Sequence, residues 1–156
     1  MSEKDIPDGF NLYPKDSSFN DALAPLYLKI TEEKPVVGLR VEKHHCNPMG
    51  ICHGGVYMSL MDFALNSAVC HAAGKYMGMP TISMTMDFLS SAREGDWIWT
   101  DVEPIKLTNT MGFAQGVIRN AANDILFRAS GIYKLPKNIE QAPGVSVADL
   151  LAMQNS

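Results

Sequence analysis

The chain has 156 residues, enough for one domain and too few for two of ordinary size. Apolar types make up 46% and charged types 19%, which excludes a disordered chain and supplies a real core. Thirteen Lys and Arg against seventeen Asp and Glu give a formal charge of −4, so the basic surplus that nucleic-acid binding needs is missing.

No basic start followed by an apolar run lies near Met1, so a secretory signal is not expected. The odd cysteine count (Cys46, Cys52, Cys70) fits reduced thiols in a cytoplasmic compartment. Residues 1–18 read as an irregular lead-in. Residues 19–30 carry a weak helical pattern cut by Pro25, so a short helix is the most they should form. Residues 36–41 alternate as a strand, with Val37, Leu39 and Val41 on one face. A loop at 44–53 follows, with turn signals at Asn47-Pro48 and Gly50.

Residues 54–73 form the strongest predicted helix, apolar on nearly every face and stopped at Gly74. Ser59, Asp62, Asn66, Ser67 and His71 interrupt that stretch, so it reads as a buried helix and not as a membrane span. Residues 81–88 alternate strictly, with Ile82, Met84, Met86 and Phe88 on one side of a half-buried strand. Strands are also expected at 97–102, about 110–119 and 125–134, with a hairpin turn at 120–124. The short links favour antiparallel pairing. The expected fold is α+β: one antiparallel sheet of five to six strands wrapped on one long helix, over residues 19–135. The tail, 136–156, holds a short helix at 147–153 capped by Ser146.

The run from Asn47 to Gly55 leads straight into the long helix, and Asp62 lies eight residues inside it. Gly54 and Gly55 leave N–H groups bare at the positive end of a helix dipole, a place for an anion or an oxyanion, or they merely permit a tight turn. Asp62, between Met61 and Phe63, needs a partner or a wet cleft, because burying a lone carboxylate costs several kcal/mol. His53 is a ligand, an acid or a brace for the loop. The cluster His44, His45, Cys46, Cys52 and His53 lacks the paired short spacings of structural zinc, so no metal is assigned. No nucleophile elbow, phosphate loop or dinucleotide fingerprint is present, and no cofactor is assigned. At 1.5 Å per residue Asp62 lies about 12 Å along the axis from Gly54, so both act on one bond only if two helices supply them. That points to a dimer with sites at its interface, and it also explains the low charge content.

NPMGICHGGVYMSLMDFALNSAV and TISMTMDFLSSAREGD resemble hotdog-fold acyl-CoA thioesterases of the PaaI-like group, within the 4-hydroxybenzoyl-CoA thioesterase superfamily. The resemblance covers about residues 19–135. It implies that Asp62 is the general base or nucleophile. The Gly54 N–H, with Gly55, would polarise the thioester carbonyl from the opposite subunit. Asn47 and His53 would shape the loop and position the thioester, and Thr81 would orient the attacking water. The substrate implied is an acyl-CoA thioester, with Arg93 and Lys75 as partners for the coenzyme A phosphates. The assembly implied is a homodimer or a dimer of dimers. Cys52 departs from the group's usual apolar or hydroxyl residue before the histidine. The methionines around the helix (Met49, Met58, Met61, Met84, Met86) suit a deformable acyl pocket or core filling equally well. The same features also fit a non-catalytic acyl-CoA binding or regulatory protein.

Overall fold

The computed structural model describes residues 6–156. Its main sheet has seven antiparallel strands: β1 (Asn11–Leu12), β2 (Leu26–Ile30), β3 (Pro35–Arg40), β5 (Thr81–Phe88), β6 (Trp97–Leu107), β7 (Met111–Asn120) and β8 (Ile125–Lys134). Their spatial order is β1-β2-β3-β6-β7-β8-β5. The long helix α1 (Gly54–Ala73) packs across β3, β5, β6, β7 and β8. A two-stranded ribbon joins β4 (Lys75–Met77) to β9 (Gly144–Ser146), and α2 (Val147–Gln154) follows it. A sheet wrapped on one helix is therefore what forms. No helix among the described residues is long and apolar enough to cross a membrane.

Local chemistry sets the ends of α1. His53 accepts the Gly55 N–H at Nδ1 (2.8 Å) as the N-cap, and Gly74 ends the helix at φ 84°, where a side chain would be strained. Leu60, Met61, Ala64, Leu65 and Ala68 are fully buried against the sheet with Ile98, Ile118, Leu126 and Phe127. Gly112 on β7 permits that close approach, because a Cβ there would run into Val69 Cγ1. Ser146 caps α2 by accepting the Asp149 N–H at 3.1 Å, as its sequence position suggests.

Several expectations change. Residues 19–30 hold only a single 3-10 turn (Phe19–Leu23), and Leu26–Ile30 is a strand. Its buried ends, Leu26 and Ile30, sit four apart and so mimic a helical repeat. Pairing with β3, from Leu26↔Leu39 to Ile30↔Pro35, decides in favour of the strand. That strand and the two-residue β1 raise the sheet to seven strands. β6 continues to Leu107, five residues past the expected end, through an irregularity between Pro104 and Lys106. Helix α1 is not buried all round: Met58 is 41% exposed, and Ser59, Asp62, Phe63 and Asn66 are half-buried. The β5 strand is more open than its alternation suggests, because it is the sheet's edge, and Ile82 and Phe88 stay 49% and 54% exposed.

Candidate active site

Asp62 projects from the middle of α1 into a cavity of about 630 Å³. Two hydroxyls donate to the same carboxylate oxygen, Oδ1: Thr81 at 2.8 Å and Tyr133 at 2.9 Å. Thr81 on β5 and Tyr133 on β8 are direct cross-strand partners, so the sheet register brings both onto one atom. Tyr133 also donates to the Asp62 carbonyl at 3.2 Å. Burial, and then the neighbouring carboxylate, push the Tyr133 phenol well above its ordinary value, so it stays a donor through the neutral range. Among the described residues Oδ2 receives no hydrogen bond. The carboxylate is thus anchored at one oxygen and free at the other.

The start of α1 faces a different, smaller cavity of about 260 Å³, lined by Asn47, Ile51, Gly54, Phe88 and their neighbours. Asn47 braces the loop, its Oδ1 accepting the N–H groups of Met49 (3.0 Å) and Ile51 (3.4 Å). Among the described residues the Gly54 N–H has no acceptor. The Gly55 N–H is taken by His53, so Gly55 has no free N–H to turn on a ligand. His53 is a brace here. One protomer therefore brings Asp62 and Thr81 together in one cavity and Asn47 and Gly54 together in another, with His53, the N-cap, outside both linings.

The phosphate partners fare unequally. The Lys75 ammonium donates to the carbonyls of Ile139 and Glu140, both at 3.1 Å, and so ties down the tail. Arg93 is exposed, and its backbone forms a bridge with Ile51 beside the Asn47 loop, close to the Gly54 cavity. The three cysteines are free. Burial raises the Cys52 thiol to about 12, which leaves it protonated and unsuited to attack. His45 is buried between the Glu42 N–H and the Leu23 carbonyl, and no group of three metal-ligating side chains forms among the described residues. Sequence reasoning missed Tyr133. Nothing local marks it; only the register of β5 on β8 does.

The thioesterase superfamily's family model matches residues 49–126, and the chain belongs to that superfamily. A Pseudomonas aeruginosa protein provisionally named an esterase is 31% identical over 132 residues, 84% of this chain and 98% of that one. Zebrafish thioesterase superfamily member 2 shares the fold with a TM-score of 0.70 at 21% identity, over 78% of this chain and 88% of its own. The Escherichia coli PaaI protein of the phenylacetic acid degradation operon gives 0.65 at 23%, over 74% and 86%. A Streptococcus mutans protein solved with acetyl-CoA gives 0.62 at 18%, over 75% and 88%. The fold is the hotdog fold of PaaI-like thioesterases.

Proposed function

We propose that this chain hydrolyses an acyl-CoA thioester at a site shared by two protomers, with Asp62 from one and the Gly54 N–H from the other. The observation that carries the reading is the carboxylate with one anchored and one free oxygen at the wall of a cavity. Superfamily membership and the acetyl-CoA bound by the Streptococcus mutans neighbour support the substrate class.

In this reading Asp62 Oδ2 takes a proton from water as the water oxygen attacks the thioester carbonyl. The carbonyl oxygen gains charge and is held by the partner's Gly54 N–H at the helix N-terminus. The carbon–sulfur bond then breaks. Its electrons leave with sulfur, which takes up a proton as coenzyme A thiol, and the acid is released. A thiolate departs with little help from an acid, so one base and one oxyanion donor suffice. Thr81 and Tyr133 fix the carboxylate, and Asn47 and His53 hold the loop that aims the Gly54 N–H. Arg93 meets the phosphates at the cleft mouth.

The dimer draws support from two features. About 12 Å of helix separates the two groups within a chain. The unpaired outer edge of β5 carries half-exposed Ile82 and Phe88, and bare strand edges of that kind pair with further chains. Measuring thiol release from a panel of acyl-CoAs tests the reading. Asp62→Asn should lose about 100-fold or more in kcat, the usual yield of a positioned base. Equal rates for the two proteins would remove Asp62 from the chemistry. Tight binding without turnover across the panel would mark a binding protein instead.

A further inference from the structure

The cavity beside Asp62 extends beyond the part of the chain that the superfamily model matches. Tyr13, Phe19 and Leu28 line it from the N-terminal side of that region, and Val145 and Leu150 from the C-terminal side. The C-terminal pair is held in place by several contacts. β4 and β9 pair Tyr76 with Val145, the Val147 N–H donates to the Gly74 carbonyl at 3.0 Å, and Lys75 clamps the preceding tail at Ile139 and Glu140. Yet α2 buries no residue in the core. The apolar side chains of Val145 and Leu150 line the cavity, and neither is buried in the core.

The walls also limit what fits. Among the described residues of one protomer, Asp62 is the one carboxylate in the lining, and that protomer contributes no Lys, Arg or His to it. Two of the polar groups that line it are already satisfied: Asn66 Nδ2 donates to the Met79 carbonyl at 3.1 Å, and Ser67 Oγ to the Phe63 carbonyl at 2.8 Å. A second carboxylate on the acyl group would meet Asp62 with no cation from the same protomer to offset it, at a cost of several kcal/mol. An acetyl group would leave most of the roughly 630 Å³ filled with water against apolar walls, in a cavity of the size that larger organic ligands fill.

We infer that β9 and α2 form the far wall of an acyl chamber, and that this wall selects an uncharged apolar acyl group much larger than acetyl. The inference rests on the thioesterase reading above and specifies its substrate. Leu150→Trp and Val145→Trp fill the chamber from partly exposed positions outside the core.

The test is kcat/KM for acetyl-, butyryl-, octanoyl- and succinyl-CoA in the wild type and both variants, with Tm measured alongside. The wild type should favour octanoyl-CoA over acetyl- and succinyl-CoA by about tenfold or more, and each variant should lower its octanoyl-to-butyryl ratio about tenfold. Succinyl- or acetyl-CoA turned over as well as octanoyl-CoA would overturn the inference while leaving the thioesterase reading intact. So would unchanged ratios in both folded variants. No turnover of any thioester by the wild type would instead overturn the thioesterase reading, and the inference with it.

Discussion

Asp62 sits under two hydroxyl donors that come from neighbouring strands of one sheet. Each bond contributes on the order of 1 kcal/mol to the carboxylate's orientation. Tyr133→Phe keeps the ring in its fully buried seat and removes one donor, so kcat should fall about fivefold to tenfold with KM nearly unchanged. An unchanged kcat would show that Thr81 alone holds the carboxylate. The residues legible in the sequence are those with local signals: the glycine pair, the carboxylate eight positions on, and the capping serine. Tyr133 was illegible because its role depends on a partner 71 positions away. The carbonyl contacts of Lys75 were illegible because a lysine after a helix looks the same whether it awaits a phosphate or clamps a carbonyl.

His45 gives the pH dependence. Its Nδ1 accepts the Glu42 N–H at 2.9 Å and its Nε2 lies 3.1 Å from the Leu23 carbonyl, which fits the neutral ring with its proton on Nε2. Burial, and then the adjoining His44, hold its pKa below the ordinary 6.5. The unfolded chain therefore takes up the proton first as pH falls through 6.5, and stability declines until the folded ring also titrates. Tm should drop between pH 7 and pH 5, and His45→Gln should flatten that slope. The Asp101 carboxylate, held low first by its hydrogen bond from Lys34, acts in a separate window: its contribution is full above 3.8 and lost at more acid pH. An equal slope in His45→Gln would assign the effect to another group.

At the scale of elements, the seat of α1 on β7 rests on one missing side chain. Gly112→Ala places a methyl against Val69, and overpacking of this kind costs roughly 1–3 kcal/mol. Val69→Ala in the same chain should recover much of that loss, which a denaturation double-mutant cycle would measure; strict additivity would contradict the contact. The periodic elements, α1, β3, β5, β7 and β8, were readable because each carries its own pattern. β4 and β9, three residues each, exist only through each other, and β2 through its pairing with β3 and β1. Short segments defined by pairing leave no period to find.

At the scale of the whole molecule, the low charge share has two destinations. Part of the apolar mass is the core around α1. The rest includes the half-exposed side chains along the β5 edge, where a second copy would pair. In that assembly each site needs two chains, and a defect in either half can be supplied by the partner.

Mixing two inactive proteins tests this most directly. Asp62→Asn removes the base. Gly54→Pro removes the N–H at the first helical position, where the backbone suits proline after a His53 already extended (φ −63°, ψ 136°), although its Cβ requires the half-exposed Phe88 ring to turn aside. Each variant alone should be nearly inactive toward acyl-CoA. Unfolded and refolded together, they should form heterodimers in which one of the two sites has both groups intact, and thiol release should return to a substantial fraction of the wild-type rate. No recovery from the mixture, with heterodimers demonstrably formed, would contradict a site shared between protomers.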